Sequence, residues 1–294
     1  MKPGIYENLP VNEYLSIEAV SNSSLKSLNA SPRHFWACHV APEKTPVKET
    51  DAMRVGRAIH TMFLEPAMFN AEFAIWDGRR SGDAYKDFQS ENADKTILTR
   101  TQFEEVEKLQ RAAFKDKELA KNLNKTGQRE ITYVWEDAQT GILCKARFDK
   151  ITVDSIIQDI KSTRSASYRA FNKDIANMNY HMQAAAYMQA HQALTGEKAR
   201  GFQFIAMEKT YPYVAQVVNM RQEDLMAGYK KYNACLQMLA LCYETEHWPT
   251  YSEYDLLALV MAGVTADEWR AIGKLEYDSC LPDWELEKCG IERS

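Results

Sequence analysis

The chain has 294 residues, 45% of them hydrophobic and 11% aromatic, enough to fill one large α/β domain or two small ones. A formal charge of -5 argues against a surface coated for nucleic acid, and six cysteines without a C-x-x-C pair argue against a disulfide scaffold, so buried free thiols are expected. No apolar run approaches the roughly 18–20 residues of a membrane span and M-K-P-G-I-Y-E-N lacks a signal-peptide core, so a cytoplasmic protein without a membrane partner is expected.

Ser21 and Asn22 are good helix caps ahead of Leu25 and Leu28, and Ser31-Pro32 stops that short helix, with another expected after it. A Pro- and charge-rich loop, 41–51, leads into M-R-V-G-R-A-I-H-T-M-F-L-E-P, where Val55, Ile59, Met62 and Phe63 recur at helical spacing and place His60 on a helix. The segment W-D-G-R-R-S-G-D-A-Y-K then reads as a loop whose basic residues, Arg79 and Arg80, suit an anion such as DNA phosphate, although such loops are often merely solvated. A helix is predicted from Thr101 to Lys121.

From Arg129 the pattern turns to β-branched and aromatic residues around Asp137–Gly141, a hairpin, with a third strand from Ser155 to Lys161. One long helix is predicted over 166–194, then two strands, G-F-Q-F-I-A-M-E and Y-V-A-Q-V-V-N-M, and a helix from Gln222 to Tyr243. The order β-β-β-α-β implies an α/β fold with a mixed central sheet flanked by helices. Leu256, Leu257, Val260 and Trp269 suggest a helical appendage over 251–294 on a main domain of 1–250.

The chemistry lies in K-A-R-F-D-K-I-T-V-D-S-I-I-Q-D-I-K-S-T. Alternation along a strand puts Asp159 and Lys161 on one face with Ile160 pointing inward. If the turn is Val153 to Ser155, Asp149 falls opposite Asp159, and two facing carboxylates repel unless a cation lies between them. Lys161 supplies part of that charge, and Mg²⁺ would use the pair better. Such a group suits phosphodiester hydrolysis, the lysine positioning water or steadying developing charge. On these residues alone an amphipathic hairpin with a charged solvent face fits equally well. Lys145 and Arg147 share the alternation of Asp149 and suit phosphate contact or charge balance, and Glu130 is either a further acid of the site or a surface glutamate.

Four segments in order, S-N-S-S-L-K-S-L-N-A-S-P, G-R-A-I-H-T-M-F-L-E-P, C-K-A-R-F-D with I-I-Q-D-I-K-S-T, and Q-A-A-A-Y, resemble the RecE-type (exonuclease VIII) branch of the PD-(D/E)xK nuclease superfamily, over about residues 12–250. The resemblance implies a restriction-endonuclease-like core with a catalytic set of His60, Asp149, Asp159, Lys161, Gln183 and Tyr187, to which the reading of the first strand adds Glu130. His60, Asp149, Asp159 and the Ile160 carbonyl would hold Mg²⁺ or Mn²⁺. It also implies a phage or prophage 5′ to 3′ exonuclease on linear double-stranded DNA, a ring-shaped homo-oligomer such as a tetramer, and a RecT-type annealing partner that uses the 3′ tails. Late cysteines are too scattered for the iron–sulfur cluster of some superfamily members. An endonuclease on the same fold and a catalytically idle DNA-binding protein are the rival readings, separable by whether closed circular DNA is cut and whether linear DNA is cut at all.

Overall fold

The β-rich run from Gly127 lies at the centre of a seven-stranded sheet in a computed structural model that describes residues 1–43, 49–250 and 255–272. The chain enters through β1 (Gly4–Tyr6), α1 (Val11–Ser16) and the two-residue β2 (Val20–Ser21), followed by α2 (Asn22–Ala30) and α3 (Pro32–His39). Ser21 and Ser24 cap α2 reciprocally, and Ser31 caps α3 with Pro32 at its first turn. Next comes α4 (Asp51–Leu64), which is capped by Thr50 and buries Val55, Ala58, Ile59 and Phe63.

A 3-10 turn (Pro66–Met68) and α5 (Phe69–Glu72) precede a small parallel pair, β3 (Phe73–Trp76) with β4 (Thr96–Thr99), between which lies α6 (Asp83–Glu91). Part of the basic segment predicted as loop is therefore helical; α6 buries none of its residues, so it carries no apolar period to read. The helix predicted over 101–121 is two, α7 (Arg100–Lys115) and α8 (Lys117–Leu123). Asp116 breaks it: its backbone is extended, and its carboxylate accepts the N–H groups of Glu118 and Leu119 as the cap of α8.

Three antiparallel strands follow, β5 (Gly127–Glu136), β6 (Leu143–Thr152) and β7 (Ile156–Thr163). The first turn is closed by buried Asp137, which accepts from the N–H groups of Gln139 and Thr140 and from the Thr140 hydroxyl. The second turn is Val153 to Ser155, with Ser155 at φ 58. The predicted long helix is again two, α9 (Tyr168–Asn177) and α10 (Tyr180–Thr195), because Asn179 takes the left-handed conformation at φ 54. They carry the chain to β8 (Gly201–Glu208), parallel to β7, before β9 (Ala215–Asn219), α11 (Gln222–Thr245), α12 (Leu256–Met261) and α13 (Ala266–Ala271). The strand order is β1-β5-β6-β7-β8-β9, with β2 parallel to β6.

Helices cover the sheet with two cores, as the alternation in β8 shows. Phe202, Phe204 and Ala206 join a core with α2, α10 and α11, whereas Ile205 and Met207 join one with α4, α7 and α8. Val260, Trp269 and Ile272 also belong to the first of these cores, so residues 255–272 pack against the body of the molecule; 251–254 and 273–294 of the expected appendage lie outside the described residues. Cys38, Cys144, Cys235 and Cys242 are free thiols; Cys280 and Cys289 fall outside the described residues. Among the described residues no helix is long and apolar enough to cross a membrane.

Candidate active site

The three-residue turn sets the register Lys150↔Gln158 and Ile151↔Ile157, and the next rung would set Asp149 against Asp159. The ladder stops there. Asp149 accepts the Ile160 N–H on its carboxylate (2.7 Å), a hydrogen bond that takes the place of strand pairing. Both acids are buried, at 8% and 2% exposure, so the hairpin does not present them on a solvent face.

The two carboxylates are partnered separately. Asp149 Oδ2 lies 3.2 Å from His60 Nδ1 on α4, and Asp159 Oδ2 lies 2.6 Å from Lys161 Nζ. Gln183, on α10, donates to Asp159 Oδ1 at 2.5 Å. The register is as expected, and within one interacting cluster the two acids take their nearest partners from different elements, Asp149 from α4 and Asp159 from β7 and α10. Like charges side by side in a buried site explain the separation, since each then has its own cation.

The neighbouring strand supplies the reason Asp149 can reach α4. On β5, Arg129↔Lys150 and Ile131↔Phe148 are paired, so Glu130 stands across from Asp149 between them. Ile131 and Phe148 enter the α10 and α11 core, yet Arg129 and Lys150, of the same parity, donate to the carbonyls of Leu64 and Leu123 at the ends of α4 and α8. The pleat changes face across this rung, where Glu130 has φ 49, an uncommon conformation for a residue with a Cβ. One ligand atom each from His60, Glu130 and Asp149 falls within 4.8 Å of the others.

Electrostatics follow from this crowding. Burial, then the charge of Asp149, push the Glu130 carboxyl up to about 7 against the pull of Arg147. Burial opposes the charge on His60, but the Asp149 carboxylate outweighs it and lifts the imidazole to about 9. Asp149 itself, despite burial, is held low by His60, Lys161 and the Ile160 N–H. Burial raises Asp159, and the Asp159 and Asp149 charges hold Lys161 above its ordinary value although burial pulls the other way. Two acids and an imidazole in mutual reach, one of the acids forced towards its neutral form, make a donor set that a divalent cation fits. Such a cation would relieve the repulsion between Glu130 and Asp149.

Residues 21–255 match the model of a family described as "PDDEXK-like domain of unknown function (DUF3799)". The chain belongs to this family. The superfamily part of the sequence resemblance therefore holds, and the mixed sheet with flanking helices is the PD-(D/E)xK core. No curated protein matches the sequence. Among solved structures, a protein from Eubacterium rectale described as a "Putative exonuclease" is similar over 96% of this chain and 98% of its own, with a TM-score of 0.58 and 15% identity, a likeness of fold. The structure of SSO0001 matches 62% of this chain and 85% of its own at 13% identity, and its TM-score of 0.28 carries no argument.

Within this PDDEXK-like domain the other candidate residues have varied surroundings. Tyr187 packs on Phe148 and donates to the Arg147 carbonyl (3.1 Å), so it braces β6. The Lys145 ammonium does not fit phosphate contact: it is buried and donates to the carbonyls of Tyr14, Leu15 and Ile17. Arg147 is engaged by Glu130 (2.5 Å) and the Leu9 carbonyl (2.6 Å), which leaves it balancing an acid of the site. Arg80 bridges Asp51 and Gln102, while Arg79 is exposed. A cleft of about 390 Å³ opens beside Glu130 and Arg147 and is also lined by Arg57 and Arg129. The metal set expected from sequence was His60, Asp149, Asp159 and the Ile160 carbonyl; the side-chain donors that converge are those of His60, Glu130 and Asp149, with Glu130, named from sequence as a further acid, directly across the ladder from Asp149.

Proposed function

We propose that the protein is a metal-dependent exodeoxyribonuclease that degrades one strand of linear double-stranded DNA from the 5′ end. The observation that carries the reading is the side-by-side placement of the His60, Glu130 and Asp149 donors with the Asp159–Lys161 pair. The family and the fold shared with the Eubacterium rectale protein described as a "Putative exonuclease" support it. Polarity, the 3′ tails, a ring-shaped homo-oligomer and a RecT-type partner in a phage or prophage setting extend the reading on the sequence resemblance.

A divalent cation, with Mg²⁺ the first candidate and Mn²⁺ the second, would be held by His60, Glu130 and Asp149 and would supply Lewis-acid stabilisation at the phosphoryl group. The protein's own groups do the rest. Lys161, kept protonated by Asp159, is a poor base; its role is to face the negative charge that builds on the phosphate oxygens. Gln183 fixes the Asp159 carboxylate and so aims Lys161. His60 must lose its proton before it can ligate, which couples metal binding to pH.

The test uses linear duplex DNA labelled separately at its 5′ and 3′ ends, with Mg²⁺ or EDTA, and covalently closed circles as control. Expected is Mg²⁺-dependent release beginning at the 5′ label, with Asp159→Asn slower by at least about a hundredfold and circles intact. Cutting of circles would replace the exonuclease with an endonuclease, and intact linear DNA under both metals would remove the enzyme reading.

A further inference from the structure

The nuclease reading assigns no part to the second lysine of the site. β2 pairs with β6 at Cys144 and Lys145, and this places α2, which begins at once, against α10 and α11 with Leu25 and Leu28 in the core. Lys26 follows Leu25 and is half-buried at the edge of that packed face. Its ammonium stands 5.3 Å from the centroid of the Tyr180 ring, and the Lys161 ammonium stands 5.0 Å from the same centroid. One ring at the start of α10 thus carries two cations.

Their charge balance differs. Lys161 has the Asp159 carboxylate at 2.6 Å, whereas among the described residues Lys26 has no carboxylate within ion-pair distance. Burial, and then the charge of Lys161, work against protonation of Lys26, and the charge of Asp159 favours it. The ring face gives partial compensation only, since such a contact contributes less than a buried ion pair. An ammonium in this position, beside a charged lysine and partly out of water, is completed by an anion from outside the chain.

Building on the nuclease reading, we propose that Lys26 is a DNA-binding residue that holds a non-bridging oxygen of a backbone phosphate next to the one that Lys161 faces. Tyr180 keeps the two ammoniums at fixed positions, so they are set for successive anions along one strand. Lys26 takes no part in bond breaking; it sets how firmly and in what register the strand lies.

The experiment compares wild type, Lys26→Met and Lys26→Arg. Affinity for a short fluorescein-labelled duplex is read by anisotropy over a salt series with Ca²⁺ in place of Mg²⁺, and kcat and KM are read with Mg²⁺. Loss of one phosphate contact lowers the slope of log K against log salt by about 0.9 and raises KM by about tenfold, with kcat changed less; Lys26→Arg restores both. A methionine variant that cleaves with the wild-type salt slope and KM overturns the proposal and leaves the nuclease standing. So does one whose kcat falls with melting temperature while the slope is unchanged, because that marks a structural lysine. Wild type that neither binds nor cleaves the duplex overturns both readings.

Discussion

Glu130 combines strain and charge in one residue. Its φ of 49 costs a residue with a Cβ about 1–3 kcal/mol, and its carboxylate faces Asp149 across the ladder. Both Glu130→Gly and Glu130→Ala remove the partner of Arg147 and weaken divalent-metal binding, but the glycine variant, which relieves the backbone cost, is expected to be about 1 kcal/mol more stable than the alanine one in the metal-free protein. A glycine variant that melts well below the alanine one would show that no strain is stored there. The pH dependence has a definite sign. His60 and Glu130 both titrate higher in the folded chain, at about 9 and about 7, than their ordinary 6.5 and 4.5. Their contributions are full below the unfolded values and are lost as pH rises through the folded ones, Glu130 first and His60 after it, so the metal-free melting temperature should decline between about pH 4.5 and 9. Metal affinity should rise across the same interval, with protons released on binding in titration calorimetry. Asp149, Asp159 and Lys161 were legible because turn length fixes register; their separation onto different cations was not, because it depends on charges brought in by α4 and α10.

The elements fit together through two helical glycines that behave in opposite ways. Gly56 lies one turn before His60 on α4, and a Cβ there would meet only Ser162 Oγ, at 4.0 Å. Gly56→Ala should raise stability by about 0.5–1 kcal/mol, the usual difference within a helix. On α11, by contrast, a Cβ at Gly228 would lie 2.2 Å from the His181 carbonyl oxygen of α10. Gly228→Ala should therefore lower stability by at least about 1–3 kcal/mol, read by urea unfolding; equal effects at both positions would contradict this packing. The main strands and the G-R-A-I-H helix were readable from periodicity. The breaks at Asp116 and Asn179 were not, because each interrupts an apolar pattern that continues on either side, and the cue is a single polar residue able to cap or to turn left-handed.

At the scale of the whole molecule, the sheet separates two cores and the site lies where α4 and α10 approach it from opposite sides. The segment after α11 belongs to this assembly, since Trp269 is fully buried in the first core and its indole N–H points to the His247 carbonyl. Trp269→Ala should cost about 3–5 kcal/mol while unfolding stays a single transition. A separate early transition in calorimetry would instead mark 255–272 as an independent unit. Sequence patterning showed the helices here but not their docking, which needs the partner face of α11.

The N-terminal residues act on the chemistry without touching it. Leu9 holds Arg147, and Tyr14, Leu15 and Ile17 hold Lys145, so this stretch clasps two cations that alternation had suggested for DNA. The family match begins only at residue 21. A chain trimmed to the matched residues would carry these two cations without their carbonyl partners beside the acids of the site. Its attraction to heparin, RNA or any other polyanion would then be an artefact of trimming, and would say nothing about the path of a substrate across the intact protein.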